Sequence, residues 1–266
     1  HATTPKGAAA MIWVAVFLGA VLLAGIASMR WGMRWGSTPA EREHPMTGDD
    51  YLDDSDAPSV AMTRAISIAA PPDQVWPWIA QLGRGAGWYS VDWLDNGRKA
   101  SARHLVSWVP APRLGDANAI GYLRHIDPGR AIAWWLGKAR FMGADVRLVT
   151  SFDLLPEPTG TRLISRISAD ARGALGPVAL FAFIIIDSIM ASAQLIGVRR
   201  RVEHGETGQA GETGVRDQYQ SYEVLFANGE RAGVEGQESG TTARQAAIDD
   251  GVLDARTDRE PGSPQL

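Results

Sequence analysis

The sequence predicts an α+β chain: an antiparallel β-sheet followed by a long C-terminal helix and preceded by an N-terminal transmembrane helix. Three observations predict it. Between about residues 120 and 169, apolar runs follow one another across short turns with no helix between them, the pattern of an antiparallel meander. Residues 175–203 are mostly apolar and begin close to Pro177, which suits the first turn of a helix. Residues 7–29 carry no charge and are long enough to cross a hydrocarbon core of ~30 Å as a helix.

Taken in order, residues 1–35 read as a membrane anchor. Arg30, Trp31, Arg34 and Trp35 follow the apolar run at once, an interfacial aromatic and basic border. A cleaved signal peptide has an apolar region of ~7–15 residues, shorter than this run, so the anchor reads as retained. Lys6 precedes the run and Arg30, Arg34 and Arg42 follow it. The positive-inside rule therefore places the chain beyond it in the cytoplasm, as part of a single-pass cell-membrane protein. Residues 36–60 read as a polar, acidic linker. Its acids Asp49, Asp50, Asp53, Asp54 and Asp56 lack the ligand spacing and terminal Glu of a calcium loop.

Residues 61–203 read as the folded domain. Met62, Arg64, Ile66 and Ile68 alternate with Thr63, Ala65 and Ser67, a half-buried strand. Pro71 and Pro72 stop it and open a helix, with Asp73 where the N-terminal dipole favours an acid. Val75, Ile79 and Leu82 share one face of that helix, beside Trp76. Gly83, Gly85 and Gly87 end it, and Trp88, Tyr89 and Trp93 follow. A short helix and a loop are expected over 97–112. Strands are expected over 120–126, 131–136, 146–155 and 161–169, with Val146, Leu148, Thr150, Phe152 and Leu154 on one face of the third.

Two segments here, TRAISIAAPPDQVWPWIAQLG and GWYSVDWLDN, resemble the start of an SRPBCC domain, the START-like or polyketide-cyclase-like helix-grip superfamily, and in particular its membrane-attached bacterial members. IMASAQLIGVRRRVE resembles the end of their C-terminal helix. Similar Pro-Met-x-Gly-Asp pieces precede the domain in those relatives, so HPMTGDD is expected to pack on it. The resemblance implies a helix-grip fold, a curved antiparallel sheet around the C-terminal helix with an apolar cavity between them. It also decides how residues 175–203 are read. They are apolar enough for a second span, but Asp187 and Gln194 interrupt them, and Arg199, Arg200 and Arg201 would then lie outside.

Net charge is −4, from 26 basic and 30 acidic side chains. Residues 61–203 hold 17 basic and 11 acidic side chains, and residues 204–266 hold 5 and 12. A basic domain between acidic flanks fits a surface near anionic lipid, or simply solvated charge. The acidic, Gly-rich tail at 204–266 has the composition of a mobile segment, with a hairpin signature over 219–234 and a short capped helix over 241–250. The absence of cysteine excludes disulfides and thiolate chemistry.

Chemistry-bearing motifs are mostly missing. His1, His44, His104, His125 and His204 include no pair at zinc-ligand spacing. There is no Gly-x-Ser-x-Gly elbow and no phosphate loop. The GRGAG at 83–87 follows a helix rather than a strand, so it lacks the geometry of a dinucleotide site. No metal or cofactor is expected. Asp187, inside an apolar helix, reads as an acid or ligand contact with a raised pKa if dry, as the partner of an arginine such as Arg124 or Arg166, or as a side chain pointing to solvent. His125 shares a strand face with Leu123 and has a proton-transfer reading beside that of a satisfied or exposed histidine. Tyr89 either offers its hydroxyl to a ligand or caps the aromatic core. The expected ligand wall is Trp76, Trp88, Tyr89, Trp93, Trp108, His125, Trp135, Phe152, Phe183, Asp187 and Met190.

These residues point to a membrane-anchored protein that binds or transfers an apolar small molecule, such as a lipid, isoprenoid or polyketide. Its partners are that ligand and membrane lipid, with no nucleic acid. The alternatives are a cyclase- or dehydratase-type enzyme using Asp187, His125 or Tyr89, and a protein-interaction module without ligand.

Overall fold

The computed structural model describes residues 5–53, 56–57 and 59–204. The hairpin expected over 219–234 and the helix expected over 241–250 lie outside the described residues. Helix α1 spans Pro5–Met33, α2 spans Pro39–Glu43, and a 3-10 turn spans Asp49–Leu52. Strand β1 (Ser59–Ile68), α3 (Pro72–Ala80) and α4 (Asp92–Asp95) follow. Strands β2 (Ala117–Asn118), β3 (Gly121–Asp127), β4 (Ala131–Phe141), β5 (Ala144–Glu157) and β6 (Gly160–Arg172) lead to α5 (Gly176–His204).

The six strands form one antiparallel sheet in the order β1-β6-β5-β4-β3-β2. The four neighbour pairs from β2 to β6 are a meander, and β1 then closes on β6 from the far end of the chain, with Met62 opposite Ile167 and Ile66 opposite Leu163. This is the α+β architecture expected, a sheet with a long C-terminal helix against it. The short helix expected over 97–112 does not form. The helical turn falls earlier, at α4, and the loop after it is held by side chains instead: Asn96 Nδ2 donates to the Lys99 carbonyl at 3.0 Å, and Ser101 Oγ donates to Asp92 Oδ1 at 2.5 Å.

Period-two alternation gives the sheet two distinct faces, and both are covered. The inner face meets α3 and α5 in two apolar clusters. One gathers Ile66, Trp134, Phe152 and Leu163 under Val75, Ile79, Leu195 and Val198. The other gathers Met62, Val146, Leu148 and Ile167 under Ala179 and Leu180. Full burial of side chains of this size contributes roughly 1.5–3 kcal/mol each. The C-terminal half of α5 fits closely because Gly197 lies against the Tyr89 backbone; a Cβ there would overlap the Tyr89 carbonyl oxygen.

Residues 36–53, read from sequence as linker, are docked along the outer face, and HPMTGDD packs on the domain as expected. Met46 is buried against Ala65 and Ile164. Glu41 takes a forked pair of bonds from Arg162, Nε to Oε1 at 2.7 Å and a terminal nitrogen to Oε2 at 3.0 Å. Arg166 pairs with Asp49, donates from Nε to Thr63 Oγ1 at 2.9 Å, and donates to the Glu41 and Arg42 carbonyls. A forked guanidinium on a carboxylate is among the stronger polar contacts in a protein. Gly36, at φ +70°, lets the chain turn against β1, where the Ala65 N–H donates to the Trp35 carbonyl at 3.1 Å. The acids of this strap thus serve as anchors for the basic outer face.

Arg166 is the centre of that docking. Replacing it with Ala is expected to cost about 1.5–3 kcal/mol and to lower amide hydrogen-exchange protection across residues 36–53. Unchanged protection there would show that the apolar contact of Met46 holds the strap alone.

Candidate functional site

Between the two inner clusters lies a cavity of about 260 Å³. Its position follows from β1. Met62 belongs to one cluster and Ile66 to the other, and the inward residue between them is Arg64, fully buried at 0 % exposure. A charge at that point cannot join either apolar cluster. It meets Asp187 of α5 at 2.7 Å, donates from Nε to the Gly32 carbonyl at the end of α1 at 2.7 Å, and reaches Met62 Sδ at 3.6 Å. Burial pushes the Asp187 carboxyl above the ordinary carboxylate range, an effect that Arg64 opposes. Burial likewise pulls Arg64 below its ordinary value, opposed by Asp187. The arginine that Asp187 selects is therefore neither Arg124 nor Arg166. Arg166 serves the outer face, and Arg124 stacks its guanidinium 4.5 Å from the Tyr51 ring centroid.

The cavity wall is mainly apolar: Trp88, Ile120, Leu148, Phe152, Phe183 and Met190 all contribute. Five polar residues interrupt it, Ser90, Asp95, Thr150, Asp187 and Gln194. Ser90 Oγ donates to Asp95 Oδ2. The Asp95 carboxyl is pushed up by burial, with Asp92 adding to the effect and Ser90 opposing it. Gln194 Nε2 donates to the Trp88 carbonyl at 3.2 Å, fixing the aromatic loop to α5. A mostly apolar cavity with a few placed polar groups is the usual form of a small-molecule site.

Five of the expected wall residues, Trp88, Phe152, Phe183, Asp187 and Met190, line this cavity. The structure places the other six elsewhere. Trp93 is on α4 at 68 % exposure. Trp76 and Trp108 are partly buried against the first apolar cluster. Trp135 is one residue out of phase: Trp134 points inward onto Phe152, with ring centroids 6.0 Å apart, and Trp135 faces outward onto Tyr51. His125 is turned by a register shift between Leu123 and His125. Leu123 pairs with Trp134 but His125 pairs with Ala133, so the inserted residue sends His125 to the opposite face.

Tyr89 caps the core. Its ring lies 6.1 Å from that of Trp78 and 4.3 Å from the Arg201 guanidinium. Its hydroxyl accepts from Gln81 Nε2 at 2.6 Å. Burial raises its phenol well above the ordinary value, with Gln81 and Arg201 opposing. The backbone is left-handed there, φ +59°, a conformation that costs energy in a residue with a Cβ and persists because the neighbours fix it.

Sequence reasoning missed Ser90, Asp95, Thr150 and Gln194 as cavity groups, and Arg64 as the buried partner of Asp187. Two signals were present. Arg64 breaks an inward row of Met62, Ile66 and Ile68, which marks a buried charge in need of a partner. Thr150 stands on the same strand face as Leu148 and Phe152. Nothing in the local pattern of Ser90 or Asp95 gives their orientation.

No family model and no curated protein matches the chain. Among solved structures, the chain is similar to the Zhui aromatase/cyclase from Streptomyces sp. R1128, at 17 % identity over 58 % of this chain and 99 % of that one, with a TM-score of 0.37. It is similar to the di-domain aromatase/cyclase StfQ of the steffimycin biosynthetic pathway at 13 % identity, 59 % and 53 % coverage and a TM-score of 0.34. An uncharacterised Rhizobium leguminosarum protein matches at 14 % identity, 54 % and 97 % coverage and a TM-score of 0.35. Similarity at this level carries no inference about ligand or activity.

The buried pair can be tested by a double-mutant cycle. Asp187→Leu strands Arg64 in the core and is expected to cost about 3–5 kcal/mol in denaturant unfolding. Adding Arg64→Met is expected to recover most of that loss, because the double variant has no uncompensated charge. A double variant as unstable as Asp187→Leu would show that the packing of these side chains, not their pairing, carries the stability.

Proposed function

We propose that this protein holds an apolar small molecule in the cavity between the sheet and α5, and that α1 anchors it in a membrane. The observation that carries the first part is the cavity itself, apolar for most of its wall and placed between two packed clusters. Of the three residues that the enzyme alternative requires, only Asp187 lines the cavity, and it is engaged by Arg64. That favours binding or transfer over catalysis.

The membrane reading is supported by α1. It carries no charge over residues 7–29, and a 29-residue helix exceeds the ~20 residues needed to span. Met11, Ile12, Trp13, Val14, Val16, Phe17 and Leu23 are all exposed, a poor arrangement in water and a good one in lipid. Among the described residues, the one helix long and apolar enough throughout to cross a membrane is α5. We read it as the helix that closes the cavity, because Asp187 is tied to Arg64 and Leu195 and Val198 are buried in the core. Phe181, Ile185 and Ile189 on its other face are exposed, beside the point where Gly32 of α1 approaches Ser188, and rest on the same membrane surface. The basic border after α1 sets the domain on the cytoplasmic side.

Two measurements test the two parts separately. For the cavity, Met190→Trp is expected to fill it at a stability cost of ~1–3 kcal/mol and to weaken binding of Nile red at least tenfold in nanodiscs, after subtraction of empty discs. A folded Met190→Trp protein with parental affinity would defeat the cavity reading. For the anchor, the full chain is expected to sediment with membranes and to resist carbonate extraction, and Val16→Arg with Leu23→Arg is expected to release it. Carbonate extraction of the parent chain would defeat that reading.

A further inference from the structure

Resting on the cavity reading above, we infer that the ligand is an apolar molecule with a neutral hydrogen-bond-donating head, a hydroxyl group, and that the cavity discriminates against anionic heads such as a carboxylate or phosphate. The polar atoms of the wall carry the inference. Thr150 is 3 % exposed, it lines the cavity, and its Oγ1 has no hydrogen-bond partner. Asp95 Oδ1 is buried in the same wall and has none either, although Oδ2 accepts from Ser90. Buried polar groups in folded proteins are almost always satisfied, and leaving one unmade costs about 1–3 kcal/mol. Two such groups facing one cavity mark where a ligand supplies the missing bonds.

The kind of bond follows from the donors and acceptors. A carboxylate oxygen accepts, and a threonine hydroxyl both accepts and donates. A ligand hydroxyl therefore suits both, donating to Asp95 Oδ1 and exchanging a bond with Thr150 Oγ1. Charge excludes the other common lipid head. No Lys, Arg or His stands among the lining residues, whereas two carboxyls do. Arg64, the nearest buried cation to Asp187, has its charge directed to that carboxylate and its Nε to the Gly32 carbonyl. An anionic head would be taken out of water with no lining cation to pair it, and an unpaired buried charge is costly.

Equilibrium binding of tritiated 1-decanol, decanoate and decane to the full chain in phosphatidylcholine nanodiscs, with empty discs subtracted, tests this. The parent is expected to bind decanol at least tenfold more tightly than decanoate at neutral pH. Thr150→Val, which keeps the shape and removes the hydroxyl, is expected to weaken decanol about fivefold or more and leave decane unchanged. Asp95→Asn is expected to narrow the gap between decanol and decanoate. Equal or tighter binding of decanoate by the parent overturns the inference, as does a decanol-to-decane ratio indifferent to both substitutions. In those outcomes the cavity still binds decane, so only the head-group assignment falls. If none of the three probes binds, or Met190→Trp leaves all three unchanged, the cavity reading falls with it.

Discussion

The structure depends on one buried ion pair, Arg64 with Asp187. A guanidinium at 0 % exposure cannot stand alone, since an unpaired buried charge costs several kcal/mol. Its requirement fixes the position of α5 along the sheet, because only one register of that helix brings Asp187 over Arg64. The same side chain donates from Nε to the Gly32 carbonyl, so the end of α1 is drawn to β1 and α5 at one point. A purely apolar row at position 64 would bury as much surface but would leave Asp187 in the helix without its partner. The pair also divides the inner face into two clusters, and the cavity lies where neither closes over it.

Helix α5 serves two surfaces at once. Its C-terminal half is held in the core by Leu195 and Val198, by Gly197 against the Tyr89 backbone, and by Arg201, which donates to the Ala102 carbonyl and covers the Tyr89 ring. Its N-terminal half caps the second cluster on one side and leaves Phe181, Ile185 and Ile189 exposed on the other. A helix apolar on both sides has a hydropathy like that of a membrane span, and the distinction comes from its partners rather than its composition. On the other sheet face, the strap at 36–53 does for β1, β5 and β6 what α5 does inside. It turns a row of basic residues, Arg162 and Arg166, into anchoring points through Glu41 and Asp49.

By itself the sequence determined the elements and their order. The two-residue period predicted the strands and the antiparallel meander, the proline pair placed the start of α3, and spacing by four and three put Phe183, Asp187 and Met190 on one face, where the structure has them at the cavity. These features depend on residues a few positions apart, which local periodicity reports. Tertiary structure decided the partners and the phase. A bulge of one residue sent His125 outward, and the same parity separated Trp134 from Trp135. Arg64 and Asp187 are 123 positions apart, and β1 with α5 must pack before either finds the other. The docking of an acidic strap and the unpaired oxygens of Thr150 and Asp95 likewise arise only when distant elements share a wall. Short-range chemistry fixes which way a side chain leaves its own backbone; the register between elements fixes what it meets.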